Sequence, residues 1–232
     1  MVDWPVWARP DQAPDDIWRR RWQHWLILGG RGAGKTRAGA EWVRAKVLGH
    51  DWAGAAAGRV ALIGGSLEEA RQVMVEGVSG LIAIHGDDER PQYEPSKRLL
   101  SWPNGAKAQL FSGDDPDSLR GPQFDAAWLD ELAKWRYPER SWDMLQFGLR
   151  LGSPPQAAIT TTPRPLALLK RMIGDPGFIV SRQRVVPSAG PGGMALWRER
   201  IFAAMARNAG NVTDYFNIPT NRVVELGTRV LI

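Results

Sequence analysis

Residues 29–36 read Gly29-Gly30-Arg31-Gly32-Ala33-Gly34-Lys35-Thr36. The apolar run Trp25-Leu26-Ile27-Leu28 leads in, and a helical pattern from Lys35 to Leu48 leads out. The stretch fits G-x-x-x-x-G-K-[ST] at every fixed position. Glycines let the backbone curl until several N–H groups point at one anion. The helix opening at Lys35 adds the positive end of its dipole. In this loop Lys35 reaches the β- and γ-phosphates of a nucleotide, and the Thr36 hydroxyl ligates Mg²⁺.

Three more short apolar runs follow: Val60-Ala61-Leu62-Ile63, Ala126-Ala127-Trp128-Leu129 and Ala157-Ala158-Ile159. None alternates with polar residues, as expected of parallel strands buried on both faces. Helical patterns lie between them. Ala38, Trp42 and Ala45 share one face of the helix over 35–48, with Gly49 as its C′ residue. Ser66 and Glu69 fit a capping box, predicting a helix to about Glu76. A third helix is predicted from Tyr137 to Leu151 through Trp142, Leu145 and Leu149. Alternating strands and helices give an α/β domain. One stretch breaks the order: Pro103-Asn104-Gly105 joins Leu99–Trp102 to Ala106–Phe111 as an inserted antiparallel hairpin. Ala53 to Gly58 reads as a small flexible linker.

A nucleotide hydrolase needs a carboxylate for Mg²⁺ and a base for water. Phe124-Asp125-Ala126-Ala127-Trp128-Leu129-Asp130-Glu131 supplies both. A buried strand delivers its last residues to the sheet edge where α/β folds bind ligands. Asp130 is expected to hold Mg²⁺ and Glu131 to activate the attacking water. Arg31 lies inside the loop and is a candidate to act on the phosphates in cis, a solvated arginine being the alternative. Arg120 precedes Gly121-Pro122 on a turn; spacing alone reads it as a solvated arginine. Thr160-Thr161-Thr162 ends the last apolar run. These hydroxyls read equally as γ-phosphate sensors or as ordinary strand residues. Gln12, with one donor and one acceptor, suits an adenine edge but by itself reads as an exposed polar residue. Trp4, Trp7, Trp18, Trp22 and Trp25 cluster at the start and are expected to pack a terminal arm, residues 1–24, onto the domain.

The chain has 232 residues, no cysteine and three scattered histidines. Disulfides and Cys-ligated zinc or iron–sulfur sites are therefore excluded. No signal peptide and no apolar run of membrane-spanning length is present, so the expectation is a cytoplasmic protein without a membrane partner. The net charge of +5 suits a polyanionic partner. Residues 181–232, however, hold 7 basic and 3 acidic side chains, so +4 of that surplus sits in the tail. The charge thus gives little independent support for nucleic acid.

Together these residues resemble the large terminase subunit of tailed phages and of prophage-like gene transfer agents. The similar segments include Trp7–Gln12, Gly29–Trp42, Glu76–Gly80, Trp102–Ala106, Leu119–Asp125, Asp130–Trp135 and Thr160–Pro165. The resemblance covers roughly residues 3–180, in order and spacing. It implies a P-loop NTPase fold of the additional-strand, conserved-Glu type, mostly parallel, that hydrolyses ATP to drive double-stranded DNA into a capsid. It implies that Gln12 contacts adenine, that Arg120 acts in trans on the next subunit of a homo-oligomeric ring, and that Thr160 to Thr162 couple hydrolysis to DNA movement. A portal protein and a small terminase subunit are the implied partners, in the host cytoplasm at the procapsid.

The resemblance divides the chain into an ATPase domain, residues 1–180, and an atypical tail, residues 181–232. The tail has three acids and no cluster of aspartates, so no nuclease activity is expected of this chain. A truncated or frameshifted product that is inert or only binds nucleotide is the first alternative. A different P-loop machine, helicase-like or a nucleotide kinase, is the second.

Overall fold

The computed structural model describes residues 4–9, 12, 22–152 and 154–183. Eight strands form one sheet: β1 (His24–Gly29), β2 (Arg59–Gly64), β3 (Gln92–Glu94), β4 (Leu99–Ser101), β5 (Lys107–Ser112), β6 (Ala126–Asp130), β7 (Gln156–Thr161) and β8 (Phe178–Gln183). Their order is β3-β4-β5-β2-β6-β7-β1-β8. The run from β5 to β8 is parallel, and β3–β4–β5 is antiparallel. This is the mostly parallel α/β sheet with an inserted hairpin that the sequence predicts. Strand β7 separates the loop strand β1 from the acidic strand β6, which is the additional-strand arrangement.

Continuous apolar runs arise because both faces of the sheet are covered. Trp25, Ile27, Leu62 and Trp128 face one core with Trp42 of α1 (Lys35–Leu48). Leu26, Leu28, Ile63 and Leu129 face the other core. There they meet Trp142 and Leu145 of α2 (Pro138–Gly148) and Leu169 of α3 (Ala167–Gly174). The expected face of α1 is the buried one, and Gly49 ends the helix in a left-handed conformation, its N–H donating to Ala45 O.

Four local expectations are modified. Ser66 caps its helix by accepting the Glu69 N–H at 3.1 Å, but only Leu67–Glu69 is α-helical. Ala70–Val75 winds as a π-helix, with Glu76 N–H bonded to Arg71 O. The wider turn puts Ala70, Met74 and Val75 into the core together. Helix α2 stops at Gly148, because Leu149 is taken into a parallel bridge with Phe124. The Ala53–Gly58 segment is pinned rather than free: Lys46 Nζ donates to Ala55 O, and Ala57 N–H donates to Lys46 O at 2.9 Å. Strands β3 and β8 and helix α3 were not foreseen. Of the tryptophan cluster, Trp4, Trp22 and Trp25 are buried, whereas Trp7 is 70% exposed. Trp18 and residues 184–232 lie outside the described residues. Among the described residues, no helix is long and apolar enough to cross a membrane.

The hairpin turn is anchored at two points. Asn104 donates to Val47 O at 2.7 Å, and the Trp102 indole N–H donates to His85 Nε2 at 2.9 Å. His85 is neutral, with its Nδ1 proton given to Leu81 O. Burial pushes its pKa down to about 4. A proton at Nε2 would face the Trp102 donor. The folded pKa lies below the unfolded one, so this contribution is complete above pH 6.5 and is lost as pH falls toward 4. We expect a loss of about 3 kcal/mol over that window. Urea unfolding at pH 7 and pH 4.5 checks it; a His85→Gln variant should lose the steep part of the pH dependence.

Candidate nucleotide site

The C-terminal ends of β1, β6 and β7 lie side by side, with Leu28 opposite Thr161 and Asp130 opposite Thr160. The loop Gly30–Gly34 leaves β1 and enters α1. Gly32 and Gly34 have φ of 75° and 81°. A side chain is strained at such angles, which is why glycine stands at both. Gly29 closes β1, Ala33 is buried, and Arg31 is exposed at the loop tip. Thr36 sits half-buried in the first turn of α1. Lys35 is buried, and its Nζ donates to Gly30 O at 3.1 Å. The same ammonium lies 3.3 Å from Glu131 Oε1. Loop and catalytic-base candidate are thus in direct contact.

Asp130 and Glu131 are adjacent in sequence but differently housed. Asp130 ends β6, buried, with Oδ1 accepting the Thr160 hydroxyl at 2.7 Å. Burial pushes its pKa up to about 6, against the opposing pull of the Thr160 hydroxyl. A carboxylate so desolvated is relieved by a cation. Asp130 and the Thr36 hydroxyl are hard oxygen donors beside a phosphate loop, which fits Mg²⁺ completing its shell with phosphate and water. Glu131 takes φ 52° and ψ 40°. A left-handed non-glycine residue is costly and tends to be kept for function. The turn sends the Glu131 carboxylate toward β7, where it accepts the Thr162 N–H and the Thr162 hydroxyl, both at 3.1 Å. Burial acts to raise the Glu131 carboxyl, but Lys35, Thr162 and Lys134 together hold it below the ordinary glutamate value. It is therefore ionised at neutral pH.

Each member of the threonine run has a distinct contact. Thr160 holds Asp130, Thr162 holds Glu131, and the Thr161 hydroxyl accepts the Ala133 N–H at 3.0 Å. Gln12 is buried against the loop: Nε2 donates to Gly34 O at 3.2 Å and Oε1 accepts the Arg9 N–H at 3.3 Å. Arg9, which sequence reasoning passed over, donates from Nη2 to Ala33 O at 2.6 Å. Its place three residues before Gln12 was the available signal. Arg120 is not brought to this loop. It is exposed in a shallow cavity with Pro122, Met144 and Phe147, toward the C-terminal end of α2.

The family described as "Terminase large subunit, T4likevirus-type, N-terminal" matches residues 26–190, more than two thirds of the chain. Among solved structures, the ATPase domain of the Thermus phage P74-26 large terminase is similar, with TM-score 0.54 and 19% identity. That likeness covers 86% of this chain and 87% of the other. The large terminase of a thermophilic bacteriophage in complex with ADP gives TM-score 0.55 at 15% identity, over 75% of this chain and 44% of that one. These likenesses carry the fold. A separate, short likeness joins the chain to the probable potassium transport system protein Kup 2 of Cupriavidus necator, 51% identical over 89 residues. It involves 38% of this chain and only 14% of that protein.

Proposed function

The chain belongs to the terminase large subunit family, and on that footing we propose that this domain binds and hydrolyses ATP with Mg²⁺ to drive double-stranded DNA into a capsid. The observation that carries the reading is the Glu131 carboxylate, held in a left-handed turn between Lys35 at the start of α1 and Thr162 just beyond the end of β7. Loop N–H groups and Lys35 bind the phosphates, and Gln12 contacts the adenine. Asp130 and Thr36 would hold Mg²⁺, which would supply charge neutralisation at the phosphates.

Glu131 then takes the proton of the attacking water. The Lys35 ammonium lies against Glu131 and suppresses its basicity. A phosphate drawing Lys35 away removes that restraint, so Glu131 becomes a better base when substrate arrives. Arg31 stabilises transition-state charge from within the loop. Arg120 does so on the neighbouring subunit of a homo-oligomeric ring, in keeping with its exposure. Thr160 in β7 and Thr162 just beyond its end bind the two carboxylates, so a change at either acid pulls on the C-terminal end of β7; this is the proposed coupling to DNA movement. The portal protein and small terminase subunit are the proposed partners, in the host cytoplasm at the procapsid.

Phosphate release from ATP, measured with and without Mg²⁺, duplex DNA and a small-subunit partner, tests the reading. Expected is a slow Mg²⁺-dependent turnover that DNA, the small subunit or ring assembly stimulates. Failure to bind ATP in Mg²⁺ would remove the motor function from this chain.

A further inference from the structure

The Thr160 hydroxyl faces three groups: the Trp128 indole N–H at 2.9 Å, Asp130 Oδ1 at 2.7 Å and Leu129 O at 3.1 Å. A hydroxyl has one proton and two lone pairs, and an indole N–H can only donate. Trp128 therefore occupies a lone pair of Thr160 and leaves its single proton to choose between Asp130 and Leu129 O. The shorter contact, to an ionisable oxygen, is the stronger one. We propose that Trp128 is a positioning residue for the cation-binding carboxylate, acting through Thr160 to fix the orientation of Asp130.

The indole is itself held from the other side. A Cβ at Gly39 would lie 2.3 Å from Trp128 Nε1 and 2.4 Å from Cε2. Only glycine lets α1 settle on the ring at this point. Gly39 stands three residues after Thr36 on the same helix. Trp128 thus lies beneath the helix that carries one proposed cation oxygen and is bonded to the threonine that fixes the other. A fully buried tryptophan in a central strand needs no such role to be explained as core. A core indole needs only some acceptor for its N–H; what points to a positioning role is that the acceptor is the hydroxyl bonded to Asp130. This inference rests on the assignment of Asp130 to a divalent cation.

The test uses the whole chain with ADP and Mn²⁺ as a paramagnetic stand-in for Mg²⁺, free Mn²⁺ being read by EPR. Trp128→Phe keeps an aromatic ring and deletes the donor. Thr160→Val keeps the shape and deletes the hydroxyl. Thr160→Ser keeps the hydroxyl. Loss of a supporting hydrogen bond behind a metal ligand weakens binding by roughly 10–100-fold. We expect Mn²⁺ affinity in the ADP complex to fall about tenfold or more in Trp128→Phe and in Thr160→Val. It should stay near wild type in Thr160→Ser, and the double variant should be no worse than the worse single. ADP affinity without metal should be unchanged. In the metal-free chain, Thr160→Val should also shift and speed exchange of the indole proton resonance that Trp128→Phe lacks.

Mn²⁺ bound by Trp128→Phe within about twofold of wild type would overturn the positioning role alone. Wild-type chain that binds ADP but no Mn²⁺ would overturn the cation assignment of Asp130, and this inference with it. Should Trp128→Phe not fold, Thr160→Val against Thr160→Ser and the indole resonance decide the matter.

Discussion

Glu131→Gln should reduce ATP turnover by about 10²–10⁴-fold, the range for loss of a general base. The amide has the size of the carboxylate, and its oxygen can still accept from Thr162. What it lacks is affinity for a proton from water. Nucleotide binding should survive and can tighten. Lys35 is engaged by the Glu131 carboxylate at 3.3 Å, and a phosphate bound by Lys35 competes with that contact. A neutral side chain releases the ammonium to the phosphate. Single-turnover phosphate release and ATP affinity, measured on the same preparation, separate the two effects. Turnover within about tenfold of wild type would take Glu131 out of the base role.

The second large effect is on stability. Trp25 is fully buried in β1, paired with Ala158 of β7 on one side and Ile179 of β8 on the other. Its indole donates to the Ser181 hydroxyl at 2.8 Å. Its ring meets Trp22 edge-on, with centroids 6.4 Å apart. Trp25→Ala removes the ring from between packed layers and should cost about 3–5 kcal/mol. A domain of ordinary stability has about 5–15 kcal/mol in all. A large share of the stability margin should therefore be lost, and the strand that carries the loop is the element weakened. Urea unfolding checks this; a loss below about 1 kcal/mol would mean that the ring does not hold these three strands together.

The two variants fail for different reasons, and the difference tracks what was legible beforehand. Trp25 was readable as core because the run 25–28 has no polar alternation, which only a strand covered on both faces allows. Glu131 was readable as a candidate base from its place after a buried strand. Its left-handed backbone was not readable, because nothing in Leu129-Asp130-Glu131-Leu132 demands it. The conformation is sustained by contacts with β7 and the loop, both distant in sequence. Gly39 shows an intermediate case. A glycine between Ala38 and Ala40 inside a helix costs about 1 kcal/mol relative to alanine. That cost signals a close approach, but only the packing shows that the approaching group is Trp128.

Similar limits explain the elements that escaped. Strand β3 is three residues of Gln92-Tyr93-Glu94, whose pattern is too short to read and whose pairing with β4 supplies the order. The π-winding of Ala70–Val75 keeps the composition of an ordinary helix and is set by what it packs on. A Cβ on Gly64 would approach Ala70 N to 2.8 Å, so the helix lies almost on the β2 backbone.

The sequence by itself determined the phosphate loop, the buried character of the strands and the pair of acids, because each follows from local residue types. It left Arg120, Gln12 and the threonine run open as to role. Tertiary structure alone placed β7 between β1 and β6, and so set Thr160 against Asp130 and Thr162 against Glu131. Strand order is fixed by pairings between segments tens of residues apart, and these gain stability only when whole layers close over both faces of the sheet. No local stretch records that order. The phosphate loop, residues 29–36, is local chemistry; its meeting with Glu131 through Lys35 is a property of the folded sheet.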